Sequence, residues 1–169
     1  MVRRRAMAFC LVVVLVAPRA YASGIDTIRA YAGTWATHTV HYKTQYSRAR
    51  TETAILRNVC WRSAGYFTCD QFVQGSSKAL IVFTYDRSRR MYHTYTVPTN
   101  GGAAGSGMLV IAGNTWIYPW EDKDGLKKVH LRVVNTFVNP DTIQYRQEFS
   151  YDNVHWTTTA TGSETRLTH

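Results

Sequence analysis

Cys60 and Cys69 are the pair whose chemistry the spacing constrains most tightly. They lie in Val59-Cys-Trp-Arg-Ser-Ala-Gly-Tyr-Phe-Thr-Cys-Asp70, where Ala64-Gly65 offers a two-residue turn between two runs of strand-forming residues. Folding the chain there pairs Ser63 with Tyr66, Arg62 with Phe67, Trp61 with Thr68 and Cys60 with Cys69. Alternation along an antiparallel ladder makes the cysteines a non-hydrogen-bonded pair, with Cα atoms about 4.5 Å apart, at the short end of what a disulfide spans. A redox pair or half of a zinc site are the rival readings. The spacing is not C-x-x-C, however, and no second pair of cysteines completes a zinc site. A structural bridge is the expectation.

The remaining chemistry rests on polar residues that could face inward. Arg132 stands among apolar neighbours in Val129-His-Leu-Arg-Val-Val-Asn-Thr-Phe137, and Arg146 and Glu148 share one face of a strand whose other face carries Tyr145 and Phe149. A buried ionised group must be paired, so Arg132, Arg146 and Glu148 could form an internal charge network. Equally, Arg146 and Glu148 could be a solvated pair on an outer face. If Trp35 points inward, the period of two brings Thr37, Thr39 and His41 with it. His41, Arg132, Arg146 and Glu148 are therefore the candidate ligand-binding residues, with Glu148 or His41 the acid or base if the protein is an enzyme. No catalytic motif supports that second class. Gly-x-Ser-x-Gly is missing, Gly105-Ser106-Gly107 reads as loop, and the segment from Ser150 to Trp156 reads as a hairpin turn. His38 and His41, three apart on a strand, face opposite sides and do not share a metal, and no motif calls for haem or another cofactor.

These residues must be positioned by strands. Runs rich in Val, Ile, Thr, Tyr, Phe and Trp cover 33–43, 51–61, 65–73, 79–85, 91–97, 108–111, 115–120, 127–138, 142–151 and 155–161, separated by turn signals such as Asp86-Arg-Ser-Arg-Arg90 and Asn139-Pro140-Asp141. About ten strands joined by tight turns predict an antiparallel meander that closes into a barrel or folds into a sandwich. The exception is Gly24-Ile-Asp-Thr-Ile-Arg-Ala-Tyr-Ala32, which reads as a short helical turn that Asp26 could cap.

The amino terminus has the three parts of a secretory signal: Arg3-Arg4-Arg5, an apolar run over 6–16, and Ala20-Tyr21-Ala22 before Ser23. The run is about half of the roughly 20 residues that span a bilayer. Residues 1–22 are therefore expected to be cleaved, leaving a secreted or periplasmic domain over 23–169 with no stable membrane insertion. Without the four arginines of that segment the formal charge falls from +9 to +5. The remaining basic residues scatter beside turns with no aromatic platform, which argues against a nucleic-acid partner.

A helical turn followed by Gly33-Thr34-Trp35 at the start of the first strand resembles the opening of lipocalins and other calycin barrels. That resemblance implies an up-and-down barrel of about ten strands, with Trp35 packed at the closed end and Arg166, from the end of the last strand, lying against it. The chain also resembles a family of exported bacterial barrel proteins to which no activity is attached. The blocks are Leu56-Arg-Asn-Val-Cys-Trp61, Gly113-Asn-Thr-Trp-Ile-Tyr-Pro-Trp120 and Arg146-Gln-Glu-Phe-Ser150, within a similarity spanning 25–167. The function expected from this is non-catalytic binding of a small amphipathic or hydrophobic molecule in the barrel. The alternatives are an enzyme with a barrel-lining acid or base, or a ligand-free structural protein of the envelope.

Overall fold

β-branched and aromatic residues dominate nearly every segment between turns, and the chain satisfies their backbone groups by pairing each strand with the next. A computed structural model describes residues 24–168; the expected signal peptide and its cleavage site lie outside them. A 3-10 helical turn, Ile25–Tyr31, precedes ten strands: β1 (Gly33–His41), β2 (Arg50–Ser63), β3 (Tyr66–Val73), β4 (Ser76–Asp86), β5 (Met91–Pro98), β6 (Gly105–Ala112), β7 (Thr115–Asp124), β8 (Lys127–Asn139), β9 (Thr142–Ser150) and β10 (Thr157–Thr168). Each is antiparallel to its neighbours, and β1 pairs with both β2 and β10, so the sheet closes into an up-and-down barrel. Closure leaves no strand edge along the β1–β10 seam.

The β2–β3 hairpin has the register that the Ala64-Gly65 turn predicts, from Ser63 opposite Tyr66 to Cys60 opposite Cys69. The two cysteines are bridged, with Cα atoms 4.1 Å apart. Ala64 takes φ 45°, in the left-handed region.

Three stretches differ from the sequence reading. β10 runs to Thr168 instead of stopping near 161, because it pairs with β1 as far as Thr34 and with β9 as far as Thr142. Its inward residues beyond Ala160 are a glycine, an acid and a base, so the stretch lacks the apolar alternation of a strand packed on a core. β6 begins at Gly105, inside the glycine-rich stretch read as loop, and pairs there with Thr96. Asp26 does not cap the 3-10 turn; its carboxylate pairs with the Arg62 guanidinium.

The core fills one end of the barrel. Trp35, Phe67, Phe83, Tyr92, Leu109, Trp116, Phe137 and Ile143 are inward residues near the same end of successive strands, and Ile25 and Ile28 of the 3-10 turn plug that end from below. Ile28, Trp35, Leu109, Trp116 and Ile143 are completely buried. Arg166 finishes the floor. Its guanidinium carbon lies 4.0 Å from the Trp35 ring centroid, over the indole. It also donates to the carbonyls of Ala30 and Ala32 at the end of the 3-10 turn and of Pro140 in the β8–β9 turn, and it pairs with Asp141 at 3.1 Å. One planar cation thus ties the terminal carbonyls of the turn, which have no partners within it, to the last strand.

Candidate functional site

Alternation along the strands decides what lies above this floor. Residues two and four positions from the floor residues also face inward, and where they are no longer large enough to meet they leave a cavity of about 360 Å³. Its walls mix apolar residues (Leu56, Ile81, Phe83, Val133) with amides (Asn58, Gln71, Asn135, Gln147), the hydroxyls of Thr94 and Thr96, and three tyrosines: Tyr31, Tyr118 and Tyr145. Cys69 places the disulfide on the same inner surface. Among the described residues, one ionisable carboxyl lines the cavity, that of Glu164 on β10.

Glu164 sits two residues before Arg166 and opposite Thr37 of β1. Its Oε2 is buried and has no hydrogen-bond partner among the described residues. Burial disfavours its charged form and pushes the carboxyl up from 4.5 to about 7. The three phenols stand near enough for that charge to act on each of them. Tyr31, from the 3-10 turn, accepts a hydrogen bond from Asn135 Nδ2, and its ring centroid lies 6.4 Å from that of Tyr118. Burial, first, pushes all three tyrosines upward, so they are hydrogen-bond donors at neutral pH. Tyr145 reaches across β10 to Thr39 Oγ1, and it can do so because residue 162 is glycine: a β-carbon there would strike the Tyr145 phenol and the His38 carbonyl oxygen.

The residues singled out from sequence fall elsewhere. Arg132, Arg146 and Glu148 do come together, with Arg132 Nε 2.7 Å and Arg146 Nε 2.9 Å from the Glu148 carboxylate. The network lies on the outside of the barrel, because Val133 and Gln147, their immediate neighbours, line the cavity. Trp156 stacks on Arg132 at 3.7 Å, and Glu148, paired with both arginines, is buried on an outer surface. A barrel-lining role for Glu148 is thereby excluded. His41 is at the mouth, where its Nε2 is 3.1 Å from Glu52 Oε2 and Glu52 also pairs with Arg50. The hydrogen bonds from Arg50 and His41 hold Glu52 below the usual carboxylate range.

Residues 42–49 cross part of the mouth. Tyr46 packs edge-on against Phe149, and its hydroxyl donates to Asp124 Oδ2 at 3.0 Å and lies 2.7 Å from that of Tyr151. A loop leaving β1 is thus fastened to β7 and β9, across the end of β10. The wall has one weak seam. β6 and β7 share three register pairs, 110–112 with 115–117, and beyond them Pro119 has no N–H to offer.

Glu164 was not among the sequence candidates, although a signal existed: once Arg166 faces inward, the period of two puts Glu164 on the same face. The class this geometry defines is a closed up-and-down β-barrel with a packed floor and a polar-walled internal cavity. Compared with known proteins, the chain matches no family model, and it matches none of the curated proteins.

Proposed function

We propose that the protein is an exported, calycin-like binder of a small amphipathic molecule, held in the barrel above the Trp35–Arg166 floor. The observation that carries this reading is the cavity itself. Its volume is at the lower end of those that hold small organic ligands, and its wall combines apolar area with a few convergent polar groups, the usual composition of such sites. A structural barrel would be expected to fill this space with side chains, as the lower half of this one does. The acid–base alternative needs a second group to accept or relay a proton beside the carboxyl, and no histidine lines the cavity among the described residues.

The disulfide on the inner wall suits an oxidising compartment and supports export. Native mass spectrometry of the protein purified from its own host tests the proposal. A bound species of small-molecule mass, lost on denaturation, is the expected result. A protein that is ligand-free from its host and that takes up nothing from a lipid and metabolite extract would count against it.

A further inference from the structure

We propose that the cavity selects a cationic ligand, an organic primary amine whose ammonium group pairs with Glu164 while the phenol rings of Tyr31, Tyr118 and Tyr145 surround it. This rests on the binding reading above and decides the sign of the head group, which that reading leaves open. A carboxylate oxygen buried without a partner is costly unless something donates to it, and none of the described residues does. Among the described residues the lining contains no basic side chain, and the Arg166 guanidinium, two residues along β10, is engaged by Asp141 and by backbone carbonyls. An anionic amphiphile such as a fatty acid would bring a second negative charge into the same space. An ammonium group supplies the missing donors and the missing charge, and aromatic faces add cation–π attraction.

The surroundings of Glu164 make the pH response specific. Facing it are Tyr31 from the 3-10 turn, Tyr118 from β7 and Tyr145 from β9, all protonated at neutral pH, and Thr37 from β1; the lining from β2 to β5 and from β8 has no titratable group. With the carboxyl at about 7, lowering the pH from 8 to 6 protonates it and should weaken amine binding about tenfold.

Calorimetry on the folded, disulfide-bonded protein can test this with matched probes: 2-phenylethylamine and tryptamine, the alcohols 2-phenylethanol and tryptophol, and the carboxylates 3-phenylpropionate and indole-3-propionate. The neutral dye Nile red reports on the cavity independently. The expected result is that amines bind at least about tenfold more tightly than the alcohols, that carboxylates bind worst, and that Glu164→Gln abolishes the amine preference and its pH dependence in a protein whose melting temperature is unchanged or raised. Alcohols that bind as tightly as amines, or an amine preference that survives Glu164→Gln, would overturn the cation assignment and leave the binding barrel standing. If Nile red and all six compounds fail to bind, the binding reading itself falls.

Discussion

Glu164 and Arg166 are two residues apart on one strand, both inward, and they do opposite things to stability. Arg166 has its hydrogen-bonding capacity met by backbone carbonyls and its face met by Trp35, whereas Glu164 Oε2 has no hydrogen-bond partner among the described residues. The folded carboxyl keeps its proton to about pH 7, while in the unfolded chain it loses it near 4.5. The folded state therefore carries the extra proton between those values, and stability falls as pH rises through them, by about 3 kcal/mol at most. His155, raised by its pairing with Asp152, titrates with the same sign in part of that window. The comparison with Glu164→Gln isolates Glu164: chemical denaturation from pH 5 to 8 should show a loss in the parent that is largely absent from the variant. At the floor, Trp35→Ala should cost about 3–5 kcal/mol through the cavity it opens. Arg166→Lys keeps the charge but loses the planar fork and the stacked face, so it should recover only part of the stability that Arg166→Ala loses. Equal stabilities of the lysine variant and the parent in urea would show that charge alone matters there.

At the level of elements, β10 and β6 are where local propensity and final structure part. β10 is held by two full ladders, and Gly162 is its tightest point, since the Tyr145 ring occupies the place of a side chain. Gly162→Ala should therefore destabilise by about 1–3 kcal/mol, as overpacking does. It should also free Tyr145 from Thr39, which the tyrosine ring resonances would report. The β6–β7 seam is the opposite case. With three register pairs and Pro119 beyond them, the backbone of β7 past residue 119 has little to protect it on the β6 side. Hydrogen exchange should be fastest among the strands in β6 and the second half of β7, and slowest in β1, β9 and β10. Uniform protection around the barrel would show that the seam opens no more readily than the rest.

Taken as a whole, the molecule is filled at one end and hollow above it, with a mildly basic surface enclosing an acidic cavity. The Cys60–Cys69 bridge stitches neighbouring strands over a short loop, so it adds about 2–3 kcal/mol, a local staple rather than a clamp across the barrel. Intact-mass measurement of protein from its native compartment should find a mass lower by two hydrogens and no alkylatable thiol without reductant. Reduction should lower the unfolding free energy by that amount and leave a folded barrel. Two free thiols would remove the support that the bridge lends to export.

Strand number, the hairpin at Ala64-Gly65 and its cysteine pairing were legible in the sequence, because they depend on neighbours a few residues apart: turn chemistry, β propensity and the period of two act locally. Inside and outside were legible only relative to an anchor. Trp35 supplied one for β1, but nothing local told which face of β8 and β9 closed inward. A one-residue choice of face moves Arg132, Arg146 and Glu148 from the cavity to the outer surface, where Trp156 stacks on Arg132. Barrel closure made that choice, by setting β1 against β10 and so committing every strand between them to one register. The same closure brought Glu164 into the cavity beside tyrosines from three distant segments, an arrangement that no spacing along the chain encodes.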